Sequence, residues 1–120
     1  MDVAGFFKSF PGAITVCDRD GLILEMNDRA VETFAADGGE KLLGANVLEC
    51  HPEPARTKLQ RMMAEGRTNV YTIEKNGVRK LIFQAPWMEN GACRGYLELA
   101  LVLPPVMPHF VRGNSSGGEK

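Results

Sequence analysis

Along the second half of the chain, apolar and polar residues alternate with a period of two, which predicts strands. Val70–Lys75 and Val78–Phe83 are rich in β-branched, aromatic and aliphatic residues, with Asn76-Gly77 between them. Asn-Gly is the strongest short hairpin signal, because a type I′ turn needs positive φ at both central residues. The turn sets a register in which Lys75 faces Val78, Glu74 faces Arg79, Thr72 faces Leu81 and Val70 faces Phe83. Glu74 and Arg79 then form an opposite-charge cross-strand pair. A third strand, running to Leu103, carries Cys93, Gly95, Leu97, Leu99, Leu101 and Leu103 on one face. A two-residue loop at Asn90-Gly91 would set this Leu row against the wrong face of its neighbour. The three-residue loop Glu89-Asn90-Gly91 is therefore predicted, pairing Phe83 with Leu97 and Leu81 with Leu99. Val70, Thr72, Leu81, Phe83, Ala85, Trp87, Leu97, Leu99 and Leu101 then form the core face. Tyr71, Ile73, Val78, Ile82 and Tyr96 fall on the other face, among Lys75, Lys80, Arg94 and Glu98. That second face is too apolar to be wholly solvated, so a cover over part of it is expected.

Upstream the period changes. Phe6, Phe7 and Phe10 make one apolar face of a short helix ended by Pro11-Gly12. So short a helix is marginal alone, and its aromatic face is expected to dock on the second sheet face, in the same subunit or a partner. Ala13–Asp18 and Leu22–Met26 are predicted strands around an Arg19-Asp20-Gly21 turn. Asn27 is placed as an N-cap, with Asp28 in the first turn, where the helix dipole favours negative charge. This helix is expected to reach about Ala36, with Ala30, Val31 and Phe34 inward. Glu40–Leu43 reads as a single turn closed by Gly44. A longer helix is predicted from Pro54 to Glu65, stopped by Gly66. Ala55, Leu59, Met62 and Met63 face inward, and Arg56, Lys58 and Arg61 form a solvated basic face. Pro104, Pro105 and Pro108 end the sheet, and Gly113–Lys120 reads as a flexible tail. The organisation is a helix over 1–11, an α+β domain over 12–104 and a tail over 105–120.

The chain has 120 residues, 44% hydrophobic and 24% charged, enough for one domain with one core. A formal net charge of −1 offers no electrostatic case for nucleic acid as a partner. No apolar run reaches membrane-spanning length, so no membrane partner is expected. Cys17, Cys50 and Cys93 are odd in number and form no CxxC pair, which fits a reduced, cytoplasmic setting. Cys17 and Cys93 read as small buried hydrophobes rather than redox groups. The Cys50-His51 pair falls short of a structural zinc pattern. Without GxSxG, HExxH or a phosphate-cradling glycine loop, no catalytic constellation can be named, and the chain is not expected to be an enzyme.

The element order, with Ala13-Ile-Thr-Val-Cys-Asp18, Asp20-Gly21-Leu-Ile-Leu-Glu-Met-Asn27, Lys41-Leu-Leu-Gly44 and Gly95-Tyr-Leu-Glu-Leu99, resembles a PAS domain over about Phe10 to Leu103. The resemblance implies a five-stranded antiparallel sheet of order 2-1-5-4-3, with helices packed on one face. It also implies a sensory or interaction role in two-component or transcriptional regulation, with output from a separate domain or partner. Homodimers through the terminal helix and outer sheet face are implied as well, making Phe6, Phe7, Phe10, Tyr71, Ile73, Ile82 and Tyr96 the interface candidates. A ligand cavity between helices and sheet would be lined by Phe34, Met62, Met63, Leu81, Phe83, Trp87, Leu97 and Leu99. Close packing of protein interiors favours a filled core instead. The cofactor is left open. Flavin-binding members carry a reactive cysteine where Gly44-Ala-Asn-Val-Leu-Glu-Cys-His51 has Val47, so flavin is not expected. Haem needs an axial ligand, for which His51 is the candidate, although a plain helix-start residue is the favoured reading.

Overall fold

The computed structural model describes residues 2–49 and 51–113, so expectations about Cys50 and about 114–120 lie outside the described residues. In chain order the elements are α1 (Val3–Ser9), β1 (Ala13–Asp18), β2 (Ile23–Met26), α2 (Asp28–Thr33) and α3 (Ala55–Glu65). Then come β3 (Asn69–Lys75), β4 (Val78–Glu89) and β5 (Ala92–Val102). Between α2 and α3 lie two 3-10 turns, Ala35–Asp37 and Gly39–Leu42, so α2 stops short of the expected Ala36. The strands form one antiparallel sheet of order β2-β1-β5-β4-β3, as the resemblance implied.

The β3–β4 hairpin follows its sequence. Asn76 and Gly77 have φ of 53° and 78°, and the predicted register runs from Lys75–Val78 to Val70–Phe83. Glu74 and Arg79 approach to 3.7 Å on the surface, where an ion pair guides register more than it stabilises.

The β4–β5 hairpin departs from the expected three-residue loop. Asn90 and Gly91 form a two-residue turn at φ 53° and 79°, with Glu89 opposite Ala92 and Met88 opposite Cys93. Trp87 then pairs with Gly95, leaving Arg94 as the extra residue of a bulge. Beyond it Phe83 faces Leu99 and Leu81 faces Leu101, two residues from the predicted partners. The parity argument against the short loop holds only for an unbroken ladder, and one extra residue restores the parity. Trp87 Nε1 donates to the Cys17 carbonyl at 3.2 Å across Gly95. A Cβ at Gly95 would collide with both groups, so this crossing requires glycine.

The larger correction concerns the sheet faces, which are exchanged relative to the sequence reading. The helices cover the face bearing Tyr96 and Ile82, only 5% and 6% exposed, and Tyr96 clusters with Cys17 and Met62 of α3. By strand alternation Ala13, Thr15, Gln84, Glu98 and Ala100 share this inner face. Leu81, Phe83, Trp87, Leu97, Leu99 and Leu101 lie on the outer face, half-buried against one another. Tyr71 and Ile73 share the face of Ile82 but stand exposed on edge strand β3. The sequence reading equated the most apolar row with the core. Here the helical layer is thin, and the row beneath it mixes Ile82 and Tyr96 with small or polar residues.

Helix α1 does not cover the sheet as expected. It has no buried residue and lies beside α2, with Lys8 Nζ 2.8 Å from Asp28 Oδ1. Phe6 and Phe10 stack edge-on with centroids 5.9 Å apart. Phe10 meets the Leu101 side chain over Gly12, while Phe6 stays 56% exposed. In α3, Met62 is buried and Leu59 and Met63 are half-buried, but Ala55 is exposed rather than inward. Lys58 and Arg61 are solvated, whereas Arg56 Nε donates to the Leu48 and His51 carbonyls at 3.0 and 3.1 Å, pinning the preceding loop. Gly66, at φ 63°, ends the helix as predicted. Among the described residues no helix is long and apolar enough to cross a membrane.

Asn27 caps α2 as predicted, and it does more. Its side chain is fully buried. Oδ1 accepts from the Ala30 amide at 3.0 Å and from the Ile14 amide at 2.9 Å. Nδ2 donates to the Gly12 carbonyl at 2.8 Å and reaches the Phe10 carbonyl at 3.5 Å. Asn27→Ala is expected to cost about 3 kcal/mol, from a lost cap and from buried backbone groups left without partners. Thermal unfolding followed by circular dichroism checks this, with a Tm lower by about 10–20 °C as the expected result.

Candidate functional site

Between the inner sheet face and the helical layer lies a cavity of about 500 Å³. This contradicts the expected filled core. The reason lies in the layer above the sheet: α2 has six residues, and the chain then breaks into 3-10 turns instead of a continuous helix. Side chains of Ile23, Met26, Phe34, Leu42, Val47, Leu59 and Met63 line the cavity on its apolar side. Thr15, Cys17, Gln84, Tyr96 and Glu98 line it from the sheet, and Asp37 and His51 from the connecting segments. A few polar groups in an otherwise apolar concavity is the usual composition of a small-molecule site.

The polar floor is ordered by a relay across three strands. Asn69 Nδ2 donates to Gln84 Oε1 at 3.1 Å, and Gln84 Nε2 donates to Glu98 Oε2 at 2.8 Å. These residues are cross-strand partners, so the ladder register itself brings them together. Thr15 stands opposite Glu98 from β1. Tyr71 lies beside the relay, where burial, and next the charge of Glu98, push its phenol above the ordinary value.

Tyr96 closes one end. Its hydroxyl bonds the Met62 carbonyl at 2.6 Å and also the Arg67 carbonyl, fastening β5 to the end of α3. Burial pushes this phenol up and keeps it protonated. Met63 and Tyr96 also border a second, more open concavity of about 530 Å³ that includes Arg19, Gln60 and Cys93, so they partition the two spaces. Cys17 is buried, and burial pushes its thiol up, away from the nucleophilic thiolate. Cys93 is half-buried.

Of the residues expected at a cavity, Phe34 and Met63 line it, and Leu97 borders it between Tyr96 and Glu98. Met62 is buried against Tyr96 and Cys17 behind the wall. Leu81, Phe83, Trp87 and Leu99 are on the opposite sheet face. Of the expected interface residues, Tyr96 lines the cavity and Ile82 is buried on the helix side, so neither is presented to a partner. His51 does line the cavity, with Nδ1 2.6 Å from the Val47 carbonyl oxygen. Sequence reasoning missed Asn69, Gln84 and Glu98. Their signal was a single charge, Glu98, in the middle of the apolar run Tyr96–Leu103. Among the described residues no group of three or more His, Cys, Asp or Glu gathers to hold a metal ion.

A family model described as the PAS fold matches residues 7–103. The C-terminal domain of a Streptococcus mutans protein superposes with a TM-score of 0.70 at 19% identity, over 86% of this chain and 84% of that one. The Vibrio cholerae VqmA dimer, described as a LuxR-type receptor, gives 0.61 at 16% identity over 85% of this chain, which spans 50% of the VqmA chain. A sensory box sensor histidine kinase from Vibrio cholerae gives 0.58 at 17% identity, covering 85% and 90% of the two chains. At these identities the likeness is one of fold. No curated protein matches the sequence. The strand order, the helices over one face and a family match that runs from α1 past the end of β5 agree, and the chain belongs to the PAS-fold family.

Proposed function

We propose that the chain is a cytoplasmic sensory module that binds a small ligand in the cavity and pairs with a second copy through its outer sheet face. Occupancy is passed to a separate output domain or partner in signal transduction. The cavity carries this reading, since about 500 Å³ left open beneath a thin helical layer is space that close packing would otherwise fill. The similarity to a sensor histidine kinase and to a LuxR-type receptor supports the signalling role. The outer Leu81, Phe83, Leu97, Leu99 and Leu101 surface supports pairing, because this apolar row stays only half-buried on one sheet face. In this reading it takes the place of the sheet residues Tyr71, Ile73, Ile82 and Tyr96 in the interface first expected, which also included Phe6, Phe7 and Phe10.

Haem is a second reading that the cavity fits only in part. A carbonyl can only accept, so His51 Nδ1 carries the proton and Nε2 is left for a ligand, the usual arrangement of a metal-bound imidazole. The charges oppose it: haem carries two propionates, and among the described residues the cavity is lined by Asp37 and Glu98 and by no Lys or Arg. The residues therefore fit an organic ligand better than haem.

Native mass spectrometry of freshly purified protein is expected to show excess mass that vanishes on denaturation. Met63→Trp, which fills open space, should lose that mass with the Tm kept or raised. A bare chain mass in the parent protein would count against a retained ligand. For pairing, light scattering is expected to give twice the chain mass for the parent and for Tyr71→Glu, and a monomer for Leu99→Glu. A dimer that survives Leu99→Glu places the interface elsewhere.

A further inference from the structure

If the cavity is the ligand site, as proposed above, the direction of its hydrogen bonds specifies what the ligand must offer. Most of the strong donors around it are engaged inside the protein. Tyr96 gives its hydroxyl proton to carbonyls at the end of α3. Gln84 is oriented by Asn69, whose amide it accepts, and donates in turn to Glu98 Oε2. His51 has its Nδ1 proton on the Val47 carbonyl, so in the neutral imidazole Nε2 is the acceptor. Among the described residues, the lining groups with a free hydrogen-bonding position are chiefly acceptors: Glu98 Oε1 and the Asp37 carboxylate, joined by His51 Nε2 in the neutral imidazole. Thr15 adds a hydroxyl that can do either.

The charge points the same way. Among the described residues two carboxylates and no Lys or Arg line the cavity, and Glu98 takes part in none of the ion pairs. A half-buried carboxylate with one neutral partner is under-satisfied, and an ammonium supplies a charge-assisted bond where an alcohol cannot. A carboxylate-bearing ligand would set like charges against Glu98 and Asp37 with nothing to offset them. We propose that the ligand is a small amine with an apolar, ring-sized body. Its ammonium pairs with Glu98, and its body lies against Ile23, Phe34 and Leu59.

The test uses three probes that share one indole body and differ at the end group: tryptamine, tryptophol and indolepropionate. Each is titrated by calorimetry into protein that native mass spectrometry shows to be free of carried ligand. Tryptamine is expected to bind about tenfold or more tighter than either of the others. In Glu98→Gln, which keeps the shape and the Gln84 contact, that preference is expected to shrink to about twofold or less, with tryptophol binding retained. If tryptophol or indolepropionate binds as well as tryptamine, the amine assignment is overturned while the cavity reading stands. If the preference survives Glu98→Gln, it does not arise at this carboxylate and the assignment falls. If none of the three binds, the assignment of an amine with a ring-sized body falls, while the cavity reading is decided by the mass measurement above.

Discussion

Asn27 has four hydrogen-bonding positions on its side chain and uses them on the start of β1, the first turn of α2 and the chain leaving α1. No other residue type offers two donors and two acceptors in so small a volume without a charge. Full burial makes each of these bonds costly to lose, since no water stands ready to replace the amide. The position of α2 follows from it. With its first turn fastened over β1, Ala30 packs against Ala13, Ile23 and Met26, and Phe34 and Leu42 are delivered to the rim of that cluster. The cavity begins where this anchored packing ends.

Local signals carried much of the fold. The Asn76-Gly77 turn, the N-cap at Asn27 and the stop at Gly66 depend on neighbouring residues, and these were legible. Strand order joins residues far apart in sequence and came only with the family resemblance. The bulge at Arg94 was invisible because it answers a mismatch between two strands rather than a property of either. The faces were misread for a related reason. Alternation separates Leu97 and Leu99 from Tyr96 and Glu98 with certainty, but only the helices decide which row they cover. Hydrophobicity was a poor guide to that choice, because a cavity needs less apolar volume beneath it than a packed core does.

The same point accounts for the missed site residues. Asn69, Gln84 and Glu98 lie far apart in sequence, and nothing local marks them as a group. Registration of β3, β4 and β5 lines them up, and the shift introduced by the bulge puts Gln84 beside Glu98. An unbroken ladder from the two-residue loop would have put Phe83 there instead, ending the relay in an aromatic ring. The polar floor is thus a product of the irregularity that the sequence reading could not see.

The faces of β5 also set a length scale. Glu98 looks into the cavity, while its immediate neighbours Leu97 and Leu99 belong to the opposite surface. No relay of side chains has to cross the protein for one side to register a change on the other. The two surfaces are joined by consecutive peptide planes, so a rotation of the backbone at Glu98 alters the spacing of Leu97 and Leu99 in the same movement. Inside and outside are separated here by the thickness of a single strand.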